Sequence, residues 1–580
     1  MFPRITKVTK AGKSYEYLQI VESVRRDGRT VKHVLANLGR LDRIGDRLDA
    51  LVQSLARFCR NPLVSSEDIS ATGCGVWGPI LVVRHLWEEL GLSEAIRQRC
   101  GGRRRQLDPA ETSFVLVANR LTQPGSEHGL ARWLEHTFVC KRDGRRWQPQ
   151  WLPPQQVSRR QRVKVASPQL DGWYRTLDAL LGAKAGLEQH LYGRVCDLFS
   201  LKVDVVFYDL TSTFFQRREP QGTLRRHGHS KDGHPRDVQV VVGVVMANGW
   251  PITHFVFPGN TADKATVQPV LSEVTQRFGI GRVLLVADRG MVGQENLDYL
   301  KAQGFHYLMG IPGRRSTEAA GVLALLNDKE DAWERIDKDN RVQQIAPGEG
   351  KQRYFVVDSR ERKEYEQRLR EKSMTRARQE LEKIREAVDQ GRLKDPAKIG
   401  ARAGRAMAKN HGQRYFNWKT DSRGGFRFSE DPGKMEAELS REGRYILCTE
   451  DPQITPQQAV EVYKELATVE DGFRDLKDVI DMRPVWHKTD PRVQAHIFVA
   501  TLALFLKRTL QHHLEAAGVE LTATQALEAL KSISVTELDV NGQARQVVSP
   551  PGPDGWRVIK ALGIRDLRPP QVCCPPSTGH

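Results

Sequence analysis

Two strongly apolar, β-branched runs near the middle of the chain each deliver an aspartate at the end of a strand pattern. Residues 203–215, VDVVFYDLTSTFF, carry Asp209, and residues 282–288, RVLLVAD, close on Asp288. Such runs read as buried strands. An ionised carboxylate is costly there unless it is hydrogen-bonded, faces a cleft or holds a cation. In open α/β sheets the strand ends border the binding crevice. Between and after the two runs, DVQVVVGVVMANGWPITHFVFPGN predicts two more strands around an Ala247-Asn248-Gly249 turn. Helices follow over 265–278 and 294–303, and His306–Gly310 predicts a short strand. The order β-β-β-α-β-α-β describes an α/β sheet with mixed strand directions. Either aspartate alone could equally cap a turn or a helix.

A third acid lies downstream. Thr455-Pro456-Gln457-Gln458 predicts a capped helix start. The helix then carries apolar residues at 459, 462, 466, 469, 473 and 476, a stripe suited to packing on a sheet. Tyr463, Glu470 and Lys477 stand seven apart, so they align along one edge of that stripe. Two aspartates and a glutamate on adjoining elements can hold two divalent cations roughly 3.5–4 Å apart for phosphodiester chemistry. Hard oxygen donors select Mg²⁺ or Mn²⁺. Tyr463 and Lys477 beside them would position a DNA backbone.

Charge agrees with such a partner. The 580 residues hold 89 Lys and Arg against 71 Asp and Glu, a net +18. That length implies roughly three or four units, and the charge a polyanionic partner. Eight cysteines are scattered without CxxC spacing, which argues against a zinc ribbon or disulfide scaffold. The basic start MFPRITKVTK lacks an apolar h-region, and no apolar run approaches the roughly 20 residues that span a bilayer. The expectation is a reduced, soluble, basic, multidomain protein. Residues 1–60 predict strands, with an Asp27-Gly28 hairpin turn, and a helix; 61–200 predict a helical DNA-binding region. Asp108-Pro109 opens one of its helices behind a basic loop containing Arg103, Arg104 and Arg105. Residues 313–441, with the charged stretch 360–390, predict an inserted domain, and 511–580 a helical region and tail. The histidines of HGHSKDGH (227–234) suit a phosphate-facing loop with Lys231 better than a metal site. Trp418 is a core aromatic of the insertion or, at a stretch, a base-stacking residue.

The segments YDLTST, LLVADRGMVGQENLDYL and YKELATVEDGFRDLKDVIDMRPVWHKTDPRVQAHIFVATLAL, in this order, resemble the DDE transposases of bacterial insertion sequences. The third block is similar to the branch with a Tyr-x2-Arg-x3-Glu-x6-Lys signature. Leu466 stands at the Arg position, and Arg474 could supply the missing charge. The resemblance implies an RNase H-like core over 201–312 and 442–510, with Asp209, Asp288 and Glu470 as catalytic metal ligands. It also implies DNA contacts from Tyr463, Lys477, Arg474, Lys231 and Arg289, and a mostly β insertion. That insertion would explain the 182 positions from Asp288 to Glu470, against 79 from Asp209 to Asp288. The implied activity is binding of terminal inverted repeats in double-stranded DNA, Mg²⁺-dependent cleavage, and strand transfer into target DNA. A homodimer on paired ends, in the bacterial cytoplasm and on the nucleoid, away from membranes, completes the expectation. The alternatives are a nuclease on the same fold without strand transfer, or an inactive DNA-binding protein.

Overall fold

A computed structural model describes every residue except 27–28, 57, 59–68, 102–107, 149–167, 200–204, 281–282, 289–290, 292, 312–316, 328, 346–351, 484, 541 and 571–580. The chain forms two compact units, Met1–Cys74 with Val535–Ser549, and Gly75–Ser534 with Pro550–His580. The first opens on an antiparallel sheet of β1 (Phe2–Lys10), β2 (Lys13–Arg26) and β3 (Arg29–Arg40). Arg26 pairs with Arg29; the expected Asp27-Gly28 turn lies outside the described residues. Two short helices, α1 (Leu41–Ile44) and α2 (Leu48–Ala56), and strand β4 (Ile69–Val76) follow.

The second unit begins with α3 (Gly78–Glu89), α4 (Leu92–Cys100), α5 (Pro109–Thr122), α6 (Leu130–His136) and α7 (Pro168–Phe199). Asp108 caps α5 as its sequence predicts, accepting from the Ala110 amide with Pro109 in the first turn. Then come β5 (Val205–Phe214), β6 (Gln239–Ala247), β7 (Trp250–Pro258), α8 (Val267–Phe278), β8 (Leu284–Asp288), α9 (Gln294–Ala302) and β9 (His306–Ile311). This is the expected alternation. It continues through α10 (Thr317–Ala324), β10 (Glu334–Arg335), β11 (Asn340–Ile345), β12 (Arg353–Ser359), α11 (Arg360–Asp389), α12 (Pro396–Lys409), β13 (Phe416–Thr420), β14 (Phe426–Glu430), α13 (Pro432–Leu439) and β15 (Arg444–Thr449). The chain ends with α14 (Pro456–Arg474), α15 (Asp490–Ala516), α16 (Ala523–Ala529), β16 (Ser534–Val540), β17 (Gln543–Val548) and α17 (Pro553–Ala561).

Nine strands make one sheet, ordered β10-β11-β12-β15-β9-β8-β5-β6-β7. Within it β8 runs parallel to β5 and to β9, while β6 and β15 are antiparallel to their neighbours. One face is apolar. Tyr208, Leu210, Leu285, Ala287, Tyr307 and Met309 join Val270, Leu271 and Val274 of α8 in a single core. Alternation sends the neighbouring positions to the other face.

Four expectations need correction. Strands β10, β11 and β12 lie inside the stretch assigned to an insertion, yet they pair into the main sheet. Residues 360–439 gather round a second core. This stretch is mostly helical rather than mostly β: α11 and α12 enclose Met374, Leu381, Ile384, Ile399, Ala403 and Met407, with the β13–β14 hairpin and Met435 of α13 packed against them. Trp418 is half-buried against that core. At the other end, 511–580 contains a hairpin, β16–β17, which joins β4 in a three-stranded sheet of the first unit. Helix α15 is also long and apolar enough to cross a bilayer by length and composition, which the sequence reading missed; 89% of its apolar window is buried inside the protein.

A buried ionic network ties α7 to β7 and α8. Glu188 accepts from Lys184, Arg277 and the Thr253 hydroxyl, and lies 3.2 Å from His254 Nδ1. Burial, reinforced by the Lys184 charge, pushes His254 down to about 4. The unfolded imidazole takes up its proton near pH 6.5, before the folded one does. This contribution is therefore whole above pH 6.5 and lost as pH falls towards 4, on the order of 3 kcal/mol in all. Urea unfolding at pH 7 and pH 5 should show the loss, and His254→Gln should remove most of that pH dependence. An unchanged slope in the variant would assign the acid sensitivity elsewhere.

Candidate active site

Val205, Val206 and Phe207 pair with Leu284, Leu285 and Val286. Continued two residues, this register brings Asp209 level with Asp288 on adjacent parallel strands. The 79-residue offset between the aspartates is the offset of the strand pairing itself. Asp209 is half-buried, and its Oδ1 accepts from the Leu210 amide at 2.7 Å. Asp288 ends β8 and pairs on its other side with Gly310 of β9. Both aspartate positions fall on the sheet face opposite the Tyr208–Leu285 core. The side chain of Asp288 lies outside the description, as do Arg289, Arg103, Arg104 and Arg105.

Helix α14 covers this second face. Its capping box is present as expected: Thr455 accepts from the Gln458 amide, and the Gln458 side chain accepts from the Thr455 amide. Ala459, Val469 and Phe473 are buried beneath it. The helix touches β11, β12, β9, β8 and β5. Tyr463 sits over Gly310, where a Cβ would overlap its hydroxyl and stand 2.9 Å from its Cζ. The Tyr463 ring stacks on Tyr445 of β15 at 5.7 Å. Further along, a Cβ on Gly472 would stand 3.2 Å from Met246 Sδ of β6. Glu470 lies between these two contacts, exposed, on the same helix edge as Tyr463 and about 10 Å beyond it. One face thus gathers Asp209, the Asp288 position and the helix that carries Glu470.

Lys477 lies within a change in the helix. After Arg474 the helix widens into a π turn over Asp475–Val479, which contains Lys477. Lys477 is inward, 15% exposed, and its Nζ donates to Asp232 Oδ1 at 2.7 Å. Arg483 Nη1 donates to the same oxygen at 2.7 Å. Asp232, one of the acids between the two core aspartates, is thus a buried anchor for two cations. Its neighbour Lys231 donates to the Leu210 carbonyl at 2.9 Å and lies 3.2 Å from Asp263. The 227–234 loop is thereby fastened to β5 next to Asp209 and to the segment after Glu470. His234 stacks on Phe214 at 3.9 Å. Arg474 is exposed and pairs with Asp471 at 2.9 Å. It borders a cleft of about 710 Å³ lined also by Phe207, Trp250, Lys507, Arg508 and His512.

Asp232→Ala would leave Lys477 and Arg483 without their shared acid. Removing one partner of a buried ion pair costs about 3–5 kcal/mol, and partial exposure of Arg483 places the expected loss near the lower figure. Denaturant unfolding measures it; a loss below about 1 kcal/mol would mean that the loop is held by other contacts.

Glu127, His487 and His496 also converge, with ligand-type atoms within 4.8 Å of one another. Arg120 already occupies this cluster: its Nη2 lies 3.2 Å from His496 Nδ1 and 3.9 Å from Glu127. Burial pushes Glu127 up, but the His487 hydrogen bond and the surrounding positive charge outweigh it and hold the carboxyl at about 2. Burial, then the Arg120 charge, push His496 well down. The group packs the start of α15 against the helical region.

Sequence reasoning missed Arg483 and Gly310. A single glycine in the otherwise buried strand HYLMGI was the available signal for close approach by another element. Residues 207–506 match the family model described as the transposase DDE domain. Residues 3–68 match that of the IS1634 family transposase N-terminal domain. No curated protein matches the chain.

Proposed function

The chain belongs to the DDE transposase family, and from that premise we propose that it cuts DNA at the ends of an insertion sequence and joins those ends to target DNA. In this reading the core is RNase H-like and Asp209, Asp288 and Glu470 are its catalytic carboxylates. The observation that carries the reading is the in-register placement of Asp209 and Asp288 on parallel β5 and β8, under the helix that bears Glu470. The strand order β9-β8-β5-β6-β7, with only β6 reversed among them, supports the RNase H-like assignment.

Carboxylate oxygens are hard donors, and half-buried Asp209 with exposed Glu470 fits Mg²⁺ or Mn²⁺. Bound there, such ions would supply positive charge to the attacking and leaving oxygens of an in-line displacement. The protein's own task is to hold its acids and the DNA backbone in place. Tyr463, Arg474, Lys477, Lys231 and Arg289 are the proposed backbone-positioning groups, with Lys477 acting through Asp232. In the first step water attacks the phosphodiester and frees a 3′-OH at the element's end. In the second step that 3′-OH attacks a target phosphodiester, so one bond forms as one breaks. The N-terminal strands and the helical region, including Arg103, Arg104 and Arg105, recognise the inverted repeats. Two protomers pair the two ends, in the bacterial cytoplasm at the nucleoid.

The test is incubation with a duplex carrying the flanking inverted repeat, a target plasmid and Mg²⁺. Cut ends and joined products are expected. Cleavage without joining would make the protein a nuclease, and tight binding without cleavage would reduce it to a DNA-binding protein.

A further inference from the structure

Helix α12, PAKIGARAGRAMAK, contains four cations and no acid. Ile399, Ala403, Ala406 and Met407 bury its inner face. Lys398, Arg402, Arg405 and Lys409 are all exposed and spaced 4, 3 and 4 apart. At 100° per residue they fall within an arc of roughly 60° and run about 16 Å along the axis. None of the four is in an ion pair among the described residues. The adjoining α11 differs: Arg362 pairs with Glu366, Lys383 with Glu380 and Arg385 with Glu382. Like charges at these spacings repel along a helix, so α12 concentrates positive charge; Glu380 of α11, already paired with Lys383, acts on Arg402 and Lys409 through space without an ion pair to either. Beside the cations, the exposed positions are Ala397, Ala401, Gly404 and Ala408, which put no bulk between the helix and a partner's backbone. In the same module Lys419 and Arg427 face each other across the β13–β14 hairpin, both exposed, another like-charge pair without an acid.

We infer that the Lys398–Arg402–Arg405–Lys409 edge of α12 is a phosphate-binding surface for duplex DNA, separate from the catalytic face. This rests on the transposase reading for the identity of the polyanion. A row of unpaired cations on a smooth helix contacts backbone rather than base edges, so the surface adds affinity without sequence preference. Its service is to hold DNA that flanks the reacting phosphodiester.

The experiment compares the full-length protein with a variant carrying Lys398→Gln, Arg402→Gln, Arg405→Gln and Lys409→Gln, on an inverted-repeat duplex and on a random duplex. Each phosphate neutralised contributes about 0.9 to the slope of log K against log salt. The slope should fall by about 3 to 4 for both duplexes, with at least a tenfold loss of affinity at 0.2 M salt. Glutamine favours helix, so the melting profile should be retained. A charge-retaining variant, Lys398→Arg with Arg402→Lys, Arg405→Lys and Lys409→Arg, should keep the wild-type slope. An unchanged slope in the glutamine variant overturns the inference, as does binding of poly-glutamate, rather than duplex, that responds to the four changes. Wild-type protein that binds duplex with the expected slope change but cuts nothing would sink the transposase reading and leave this surface standing.

Discussion

Asp209→Asn, Asp288→Asn and Glu470→Gln should each cut Mg²⁺-dependent strand cleavage by at least about 10³-fold, while duplex affinity stays within about twofold. Each change keeps side-chain volume and removes one negative charge from the proposed ligand set. A thousandfold loss corresponds to about 4 kcal/mol of transition-state stabilisation, a reasonable share for one ligand of a cation pair that steadies both reacting oxygens. Binding should survive because it draws on cations spread over a chain of net charge +18. Asp209→Asn retains the oxygen that accepts from the Leu210 amide, so β5 should not be disturbed. Single-turnover cleavage at saturating protein reads the effect directly. Full activity in Glu470→Gln would show that another carboxylate completes the set.

Gly310→Ala should damage the same reaction from a distance. Gly310 lies in a central strand, held by Asp288 on one side and Leu447 on the other. Its added methyl would overlap the Tyr463 hydroxyl. The strand cannot retreat, because it is hydrogen-bonded along both edges and backed by the core on its far face. The Tyr463 side chain must give way instead, and because its ring is stacked on Tyr445 the displacement is expected to pass to α14 and to Glu470. Overpacking of this kind costs about 1–3 kcal/mol, and a misplacement near 1 Å can cost about 10²-fold in rate. Gly310→Ala combined with Tyr463→Ala should regain most of the stability and less of the activity, since Tyr463 is itself a proposed DNA contact. A Gly310→Ala protein with wild-type melting and wild-type cleavage would mean that the helix is not seated as described.

Much of this face was legible before any fold was known. The apolar runs ending at Asp209 and Asp288, the capped start of α14 at Thr455 and its stripe from Ala459 to Phe473 are patterns of contiguous residues. Backbone periodicity and local capping chemistry act over a few positions, so sequence displays them. What failed was of another kind. The 313–441 stretch looked like one insertion because β10, β11 and β12 are short or separated by polar sequence. Their membership in the sheet follows from edge pairing, in which backbone groups bond backbone groups whatever the side chains are. The heptad spacing of Tyr463, Glu470 and Lys477 assumed an unbroken α-helix, whereas a π turn over Asp475–Val479 interrupts it before Lys477.

By itself, then, the chain's sequence determined its strands and helices in the core, the acids that could serve chemistry, and the surplus of positive charge. Each of these depends on residue type and near neighbours alone. Only the tertiary structure decided that β8 pairs with β5 in a register that levels Asp209 with Asp288, and that Gly310 makes room for Tyr463. It alone bound Lys477 and Arg483 to Asp232, some 245 and 251 residues away, and left the four cations of α12 outside any ion pair among the described residues. These are relations between distant segments, and they arise from the close packing and hydrogen-bond satisfaction of the whole fold.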